Sequence, residues 1–414
     1  MNKEKEIYVY ADFLYHDCEP VGTIYVSESR GRETYAFEYE SSWLKRSDQF
    51  LDPDLQLYAG RQYVRDDKKI FGVFADSCPD RWGRLLMKRR EEIRAKAAGE
   101  RPKKLLDSDF LTGVYDEDRM GGLRFKTLRN GDFISSDREY ATPPWTSLRE
   151  LEQASIQFEN EEDSLNEKWI KQLIAPGSSL GGTRPKASVI APDGSLWIAK
   201  FPSKHDDFNS GAWEMVVHKL AKRCGISVPE ARLEKFSKLG STFLVKRFDR
   251  EGSRRVHFSS AMTMLGKVDG ENRTEGSSYL EIVSFLKANG AAPKRDLQEL
   301  WKRIVFSMAV SNTDDHFRNH GFLLTENGWA LSPMYDVNPD VYGEYLSLNV
   351  DDNDSVIDFE LAKDAALYYG LSAKQAEQEI AEIRTIVEKN WEILAKGFGI
   401  SRNEIERMSP AFRG

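Results

Sequence analysis

The sequence predicts an α+β fold, and three observations carry that expectation: period-two apolar runs near the start, short strand pairs around a helical segment in the middle, and long helical periodicity towards the end. Residues 7 to about 125 read as a mixed α/β unit. The runs IYVYADF and VGTIYVS alternate as strands do, and Pro79-Asp80 is a start signal for a helix over Trp82 to Lys96. GGLRF, Gly121 to Phe125, reads as a further strand. The polar stretch Asn130 to Thr146, with Gly131, Pro143 and Pro144, marks a boundary. The expected organisation is an N-terminal subdomain over 1–130, a linker over 131–145, and a second domain over 146–414, strand-rich to about 250 and helical from about 251.

The second domain presents its elements in a telling order. A Gly-rich turn, SSLGGTRPKA, spans Ser178 to Ala187. ASVIAPDGSLWIAK then reads as two strands joined at Pro192-Asp193-Gly194, which puts Lys200 near the end of the second. Trp213, Val216, Val217, Leu220 and Ala221 recur at helical spacing and predict an amphipathic helix over 211–224. ARLEKF and STFLVKRF form the next hairpin, turning at Lys238 to Gly240. A helix from Gln298, with Leu300, Trp301, Ile304 and Met308 on one side, leads into the polar burst SNTDDHFRNH. The hairpin GFLLT, Glu326-Asn327-Gly328, WALSP follows and returns Asp336 towards that burst. Helices from Phe359 to Leu394, with Leu361, Ala365, Ile383 and Trp391 inward, complete a helical lobe.

Composition narrows the function classes. The 414 residues are 40% hydrophobic and 30% charged, enough apolar material for two or three packed domains. A formal charge of −8 removes nucleic acid as the default partner. The basic run Arg81 to Lys104 also holds Glu91, Glu92 and Glu100, so it reads first as the wet face of a helix and second as a patch touching DNA or a partner. Cys18, Cys78 and Cys224 are odd in number and lack CxxC spacing, which argues against a disulfide framework or zinc site. MNKEKEIYVYADF has no apolar core of signal-peptide length, and no stretch is apolar for a membrane span, so a cytoplasmic location is expected.

The order of motifs suits phosphoryl transfer, which needs phosphates held, charge neutralised, and a carboxylate to orient the attacking hydroxyl. A Gly-rich turn lets backbone N–H groups approach phosphate oxygens, and Lys200 on an adjacent strand supplies a point charge. Protein kinases space a base and an Mg-binding amide as D-x-x-x-x-N, with a second Mg-binding Asp beyond a hairpin. Asp314 and Asn319 have that spacing, and Asp336 lies beyond a hairpin. Asn and Asp oxygens are donors that a hard Mg ion accepts. Glu214, early in the helix after Lys200, is placed to pair with that lysine, although an early helix Glu is also favoured by the helix dipole alone. GxGxxG, HRD, DFG and a Walker GxxxxGK[ST] loop are all absent.

Bland readings stand beside these. Taken alone, the Gly turn is only a turn, and Lys200 is a solvated strand end. His316 and His320 stand four apart but lack the HExxH glutamate, so His316 is read as hydrogen-bonding the loop backbone rather than as a metal ligand. Asp315 is expected to be exposed. Asp249 is open between a surface pair with Arg247 or Arg250 and a nucleotide contact.

In combination, the Gly turn, the strand lysine, TDDHFRN and YDVNP resemble the HipA family of bacterial serine/threonine kinase toxins, as do FGVFADSCPDRWGRLL and DEDRMGGLRF. The resemblance covers nearly the whole chain and implies a HipA-like kinase fold: an N-terminal α/β subdomain, a β-rich ATP-binding region and a helical C-terminal lobe. It implies Mg2+ and ATP as cofactors, Asp314 as the catalytic residue, and Asn319 and Asp336 as metal ligands. Lys200, Gly181, Gly182, Thr183 and His316 would meet ATP, with Lys246 and Phe248 at the adenine, Asp249 near the ribose, and Glu214 and Lys186 in support. An inhibitory autophosphorylation is implied at Ser179 or its neighbour Ser178, where a doubly negative group would repel nucleotide phosphates. The implied partners are a HipB-like helix-turn-helix antitoxin, DNA only through that antitoxin, and a protein substrate such as an aminoacyl-tRNA synthetase, with growth arrest and persistence as the outcome. The rivals are a pseudokinase-like binding module and a small-molecule kinase.

Overall fold

The computed structural model describes residues 4–13, 16–46, 50–136, 141–160, 173, 182 and 184–413. Two compact units emerge from the packing of the chain: residues 1–200 with 249–259, and residues 201–248 with 260–414. This division cuts the second expected domain after Lys200 and returns 249–259 to the first unit, because buried Asp249 and Arg255 bond to the segment around residues 116–121. The α+β class holds, with antiparallel strand pairs and helices in both units.

In the first unit, β1 (Lys5–Phe13), β2 (His16–Ser29), β3 (Arg32–Tyr39), β4 (Gln62–Tyr63) and β5 (Leu123–Lys126) form an antiparallel sheet of order β4-β3-β2-β1-β5. Period-two alternation buries Ile7, Val9, Ala11 and Phe13 on one face of β1. β2 and β3 turn through Arg30 and Gly31 at φ 53° and 71°, the positive pair that matches the twist of a two-residue hairpin. Phe37, Phe71, Phe74 and Phe125 pack as rings beneath the sheet, with Phe74 5.4 Å from Phe37 and 6.1 Å from Phe125.

A helix over Arg81–Ala98 follows, two residues longer at its C-terminal end than the spacing predicted. Asp80 caps it by accepting from the Gly83 N–H at 2.8 Å, and Gly99 at φ 68° ends it. Within the same unit, β6 (Lys186–Ile190) and β7 (Leu196–Lys200) form the expected hairpin.

Asp52, fully buried, accepts the N–H groups of Asp54 at 2.8 Å and Val73 at 2.9 Å. Burial pushes its carboxyl up to about 6, against the pull of those N–H groups and Lys68. The folded state therefore holds this proton more tightly than the unfolded chain, so its stabilisation is complete below about pH 4 and is lost as pH rises through 6. As pH rises from about 3 to about 7, wild-type stability should fall by about 3 kcal/mol more than that of Asp52→Asn, as read from urea midpoints. Equal slopes for the two proteins would refute this.

The second unit is mainly helical. The helix Ser210–Arg223 packs on the long helix Ala373–Gly397 and on the hairpin Ala231–Glu234 with Thr242–Lys246. The helix expected from Gln298 runs over Pro293–Ala309, because Pro293 sits in its first turn, where no amide donor is needed. Asp296 in that turn accepts the Leu331 N–H at 3.0 Å, and Arg303 donates to Ser332 O at 2.8 Å. These two bonds fix the hairpin Gly321–Thr325 with Gly328–Leu331 against the helix.

Candidate active site

The polar burst after the helix Pro293–Ala309 is a loop whose backbone turns sharply. Ser311 lies at φ 50°, and the backbone N–H groups of His316 and Asn319 donate to Asp314 O at 3.1 Å and His316 O at 2.8 Å. These bonds send neighbouring side chains in opposite directions. The Asp314 side chain is 87% exposed, whereas Asp315 is 2% exposed.

Asp315 was expected at the surface, and the structure corrects this. Its Oδ2 accepts the Tyr279 hydroxyl at 2.7 Å, and its Oδ1 lies 2.9 Å from His320 Nε2. Burial opposes charge on Asp315, but His320, the Tyr279 O–H and His316 outweigh it and hold the carboxyl below its ordinary range. His316 also departs from expectation. Its Nε2 faces Asp314 Oδ1 at 3.8 Å and its Nδ1 has no hydrogen-bond partner, so the ring addresses the carboxylate and not the loop backbone.

Asn319 is 5% exposed, and its amide nitrogen donates to Asp314 O at 2.8 Å. That bond fixes the orientation of the amide and leaves Oδ1 buried with no hydrogen-bond partner. An orphaned buried acceptor is uncommon and calls for an explanation. Asp336, half-buried, stands at φ 57°, a left-handed conformation rare outside glycine and most tolerated by Asn and Asp. Its segment is strapped to the loop: Asp340 N donates to Ser311 O at 3.0 Å, Asn338 N to Asn312 Oδ1 at 3.3 Å, and the Thr313 hydroxyl to Asp340 Oδ2 at 2.7 Å. The second unit thus brings Asp314, Asn319 and Asp336 into one neighbourhood. Surrounding protein raises the Asp314 carboxyl, His316 opposes, and Asp336, Asp315 and Asp340 raise it further.

Among the described residues, no group of three or more His, Cys, Asp or Glu side chains stands ready to hold a metal ion. The donors present are the Asn319 amide oxygen and the Asp336 carboxylate. That set fits a Mg ion which takes one or two protein oxygens and completes its octahedron with phosphate and water.

The remaining candidates are distributed over both units. Phe248 packs on Tyr335 with centroids 5.6 Å apart, and the Tyr335 hydroxyl donates to Arg318 O at 2.8 Å, which ties the end of the VKRF segment to the loop. The Lys246 N–H donates to Glu230 O at 2.8 Å. Glu214 is buried in the second turn of its helix. In the first unit, Lys200 on β7 is 7% exposed and stands directly opposite Lys186 on β6. Lys186 pairs with Asp80 at 2.6 Å, a contact no local pattern announces. Asp249 is fully buried and accepts from Gly121 N at 2.8 Å and Arg250 Nη1 at 2.6 Å, so the expected arginine pair forms inside the protein and not at its surface. Gly182 has φ +89°, which L side chains rarely adopt. Ser178, Ser179, Gly181 and Thr183 lie outside the described residues.

Two family models match. The HipA-like C-terminal domain covers residues 178–391, and the HipA N-terminal domain covers 14–106. A Haemophilus influenzae protein named as a kinase is 25% identical over 188 residues, 40% of this chain and 54% of that protein. The serine/threonine-protein kinase toxin HipA of Shewanella oneidensis is 25% identical over 257 residues, 53% of this chain and 58% of that one. The chain therefore spans little more than half the length of these two relatives. Among solved structures, HipA from the Shewanella oneidensis complex of HipA, HipB and operator DNA superposes with a TM-score of 0.68 at 18% identity, over 98% of this chain and 94% of that one, a likeness of fold. With the HipA-like C-terminal domain matched over more than half of the chain and the N-terminal domain matched as well, the chain belongs to the HipA family.

Proposed function

We propose that the chain is a Mg-ATP-dependent serine/threonine protein kinase of the HipA toxin type. The observation that carries this reading is Asn319 Oδ1, a buried carbonyl oxygen left without a donor and fixed by the same loop that holds Asp314 out to solvent. Family membership and the kinase names of the relatives support it.

In this proposal Asn319 and Asp336 hold the metal, and bound magnesium supplies neutralisation of phosphate charge. Asp314 accepts the proton of the incoming serine or threonine hydroxyl. The freed oxygen forms a bond to the γ-phosphorus, the bond from that phosphorus to the β,γ-bridging oxygen breaks, and ADP leaves. In the unliganded chain the surrounding protein raises the proton affinity of this carboxylate, His316 opposes, and Asp336, Asp315 and Asp340 add to the rise. Lys200 and the turn at Gly181, Gly182 and Thr183 are proposed to meet phosphates, with Glu214 and Lys186 in support, His316 near the transferred group, and Lys246 and Phe248 beside the adenine. Asp249, whose carboxylate is engaged by Gly121 and Arg250, is proposed to fix that segment and not to meet the ribose.

The name of the structural neighbour supports a HipB-like antitoxin as partner, with DNA reached only through it. A protein substrate, an aminoacyl-tRNA synthetase among the candidates, and a cytoplasmic site of action complete the proposal. Among the described residues no helix is long and apolar enough to cross a membrane.

The test is incubation of the purified chain with γ-labelled ATP and Mg2+, followed by peptide mapping. Label is expected on Ser178 or Ser179 and should vanish with EDTA. Absence of label on any residue and on any added protein, with ATP unbound, would end the reading.

A further inference from the structure

Two residues that no kinase pattern singles out bracket the candidate loop. Asp315 directly follows Asp314, and His320 directly follows Asn319. We propose that Asp315 is the positioning residue of this loop, tying it to the helical lobe through Tyr279 and Ser307 and facing His320 at the loop's far end, so that Asp314 and Asn319 are set before any nucleotide arrives. The inference deepens the kinase reading and rests on it for its catalytic consequence.

The clamp is anchored at rigid points. Tyr279 opens the helix Tyr279–Asn289, which has a capping box at Ser278 and Glu281. Its hydroxyl donates to Asp315 Oδ2 at 2.7 Å, and Ser307, from the helix Pro293–Ala309, donates to the same oxygen at 3.5 Å. The other oxygen, Oδ1, lies 2.9 Å from His320 Nε2, and the His320 ring meets Tyr279 edge-on at 5.7 Å. All three side chains are almost wholly buried. A buried carboxylate that receives donors from two helices and faces the far end of its own loop leaves that loop little freedom to rotate. Rotation about the backbone at Asp315 would move the exposed Asp314 carboxylate and break the Asn319 Nδ2 bond to Asp314 O that aims Oδ1. Misplacement of reacting groups by about 1 Å costs on the order of 10²-fold in rate.

The experiment compares wild type with Asp315→Ala, Asp315→Asn and Tyr279→Phe, each assayed well below its own melting temperature. For Asp315→Ala, kcat is expected to fall about 100-fold, and exchange of the His316 and Asn319 amide hydrogens to quicken at least about tenfold. Asp315→Asn keeps the volume and an acceptor for Tyr279 and should recover most of the loss. Tyr279→Phe removes one hydroxyl and keeps the ring, and should lower kcat about tenfold and quicken the same amide exchange about threefold. A folded Asp315→Ala or Tyr279→Phe with wild-type kcat and unchanged amide exchange overturns the proposal, as does a loss that Asp315→Asn fails to recover. If the wild type transfers no phosphate, the kinase reading fails by itself, and the exchange rates still decide whether Asp315 sets the loop.

Discussion

Asp314→Asn is expected to lower phosphate transfer by about 10³-fold while leaving the unfolding transition within about 0.5 kcal/mol of wild type. The two halves of this expectation have one cause. The side chain is 87% exposed, and its Oδ1 stands 3.8 Å from the His316 ring, beyond hydrogen-bond reach, so the fold loses little when the charge goes. The backbone carbonyl of Asp314, which orients Asn319, remains. The amide also removes repulsion from Asp336, Asp315 and Asp340, the carboxylates that raise this group. Catalysis is affected differently, because an amide cannot take the proton of an attacking hydroxyl. Initial-rate measurement with labelled ATP beside a thermal melt checks both halves. A variant with wild-type turnover would move the base elsewhere, and one that is inactive and unfolded would show that the side chain supports the fold.

The second large effect belongs to the first unit and concerns stability. Arg119 is fully buried and donates to three carbonyl oxygens, Ser77 at 3.0 Å, Leu111 at 2.8 Å and Val114 at 3.2 Å, with its guanidinium 4.7 Å from the centre of the Phe125 ring. Burial lowers its pKa to about 10, against Asp116, so it stays charged at neutral pH. Leu111 and Val114 lie at and just beyond the last turn of the helix Asp107–Thr112, where carbonyls lack partners within the helix. Arg119→Met fills the space but offers no donor. It is expected to destabilise the protein by about 3 kcal/mol or more, about 1 kcal/mol for each abandoned carbonyl. Arg119→Lys should recover only part, since one ammonium does not span the fork of a guanidinium. Urea unfolding gives the measure, and a loss below about 1 kcal/mol for Arg119→Met would contradict this account.

How far the sequence speaks depends on the range of the interaction. Hairpins and helices whose signals are local were legible: Lys186–Ile190 with Leu196–Lys200 follows from a turn tripeptide, and Ser210–Arg223 from apolar spacing. The strand Arg32–Tyr39 was harder to read because three consecutive residues, Tyr35, Ala36 and Phe37, are buried where alternation would bury two. The start at Pro293 was masked by polar residues that follow it. The motif spacing of Asp314, Asn319 and Asp336 was visible, but the surroundings of each were not. Asp315 meets Tyr279 across 36 positions, and Lys186 meets Asp80 across 106. Burial of a charge is decided by such distant partners, and for that reason Asp315 was read as exposed when it is among the best anchored carboxylates of the loop.

The left-handed backbone at Asp336 bears on how its role is to be probed. Alanine there would delete the carboxylate and at the same time force a Cβ-bearing residue with no polar side chain to hold a conformation that costs it about 1 kcal/mol or more. A lost activity in that variant would mix chemistry with a relaxed bend. Asparagine shares the tolerance of aspartate for this geometry, so it separates the charge from the shape of the chain.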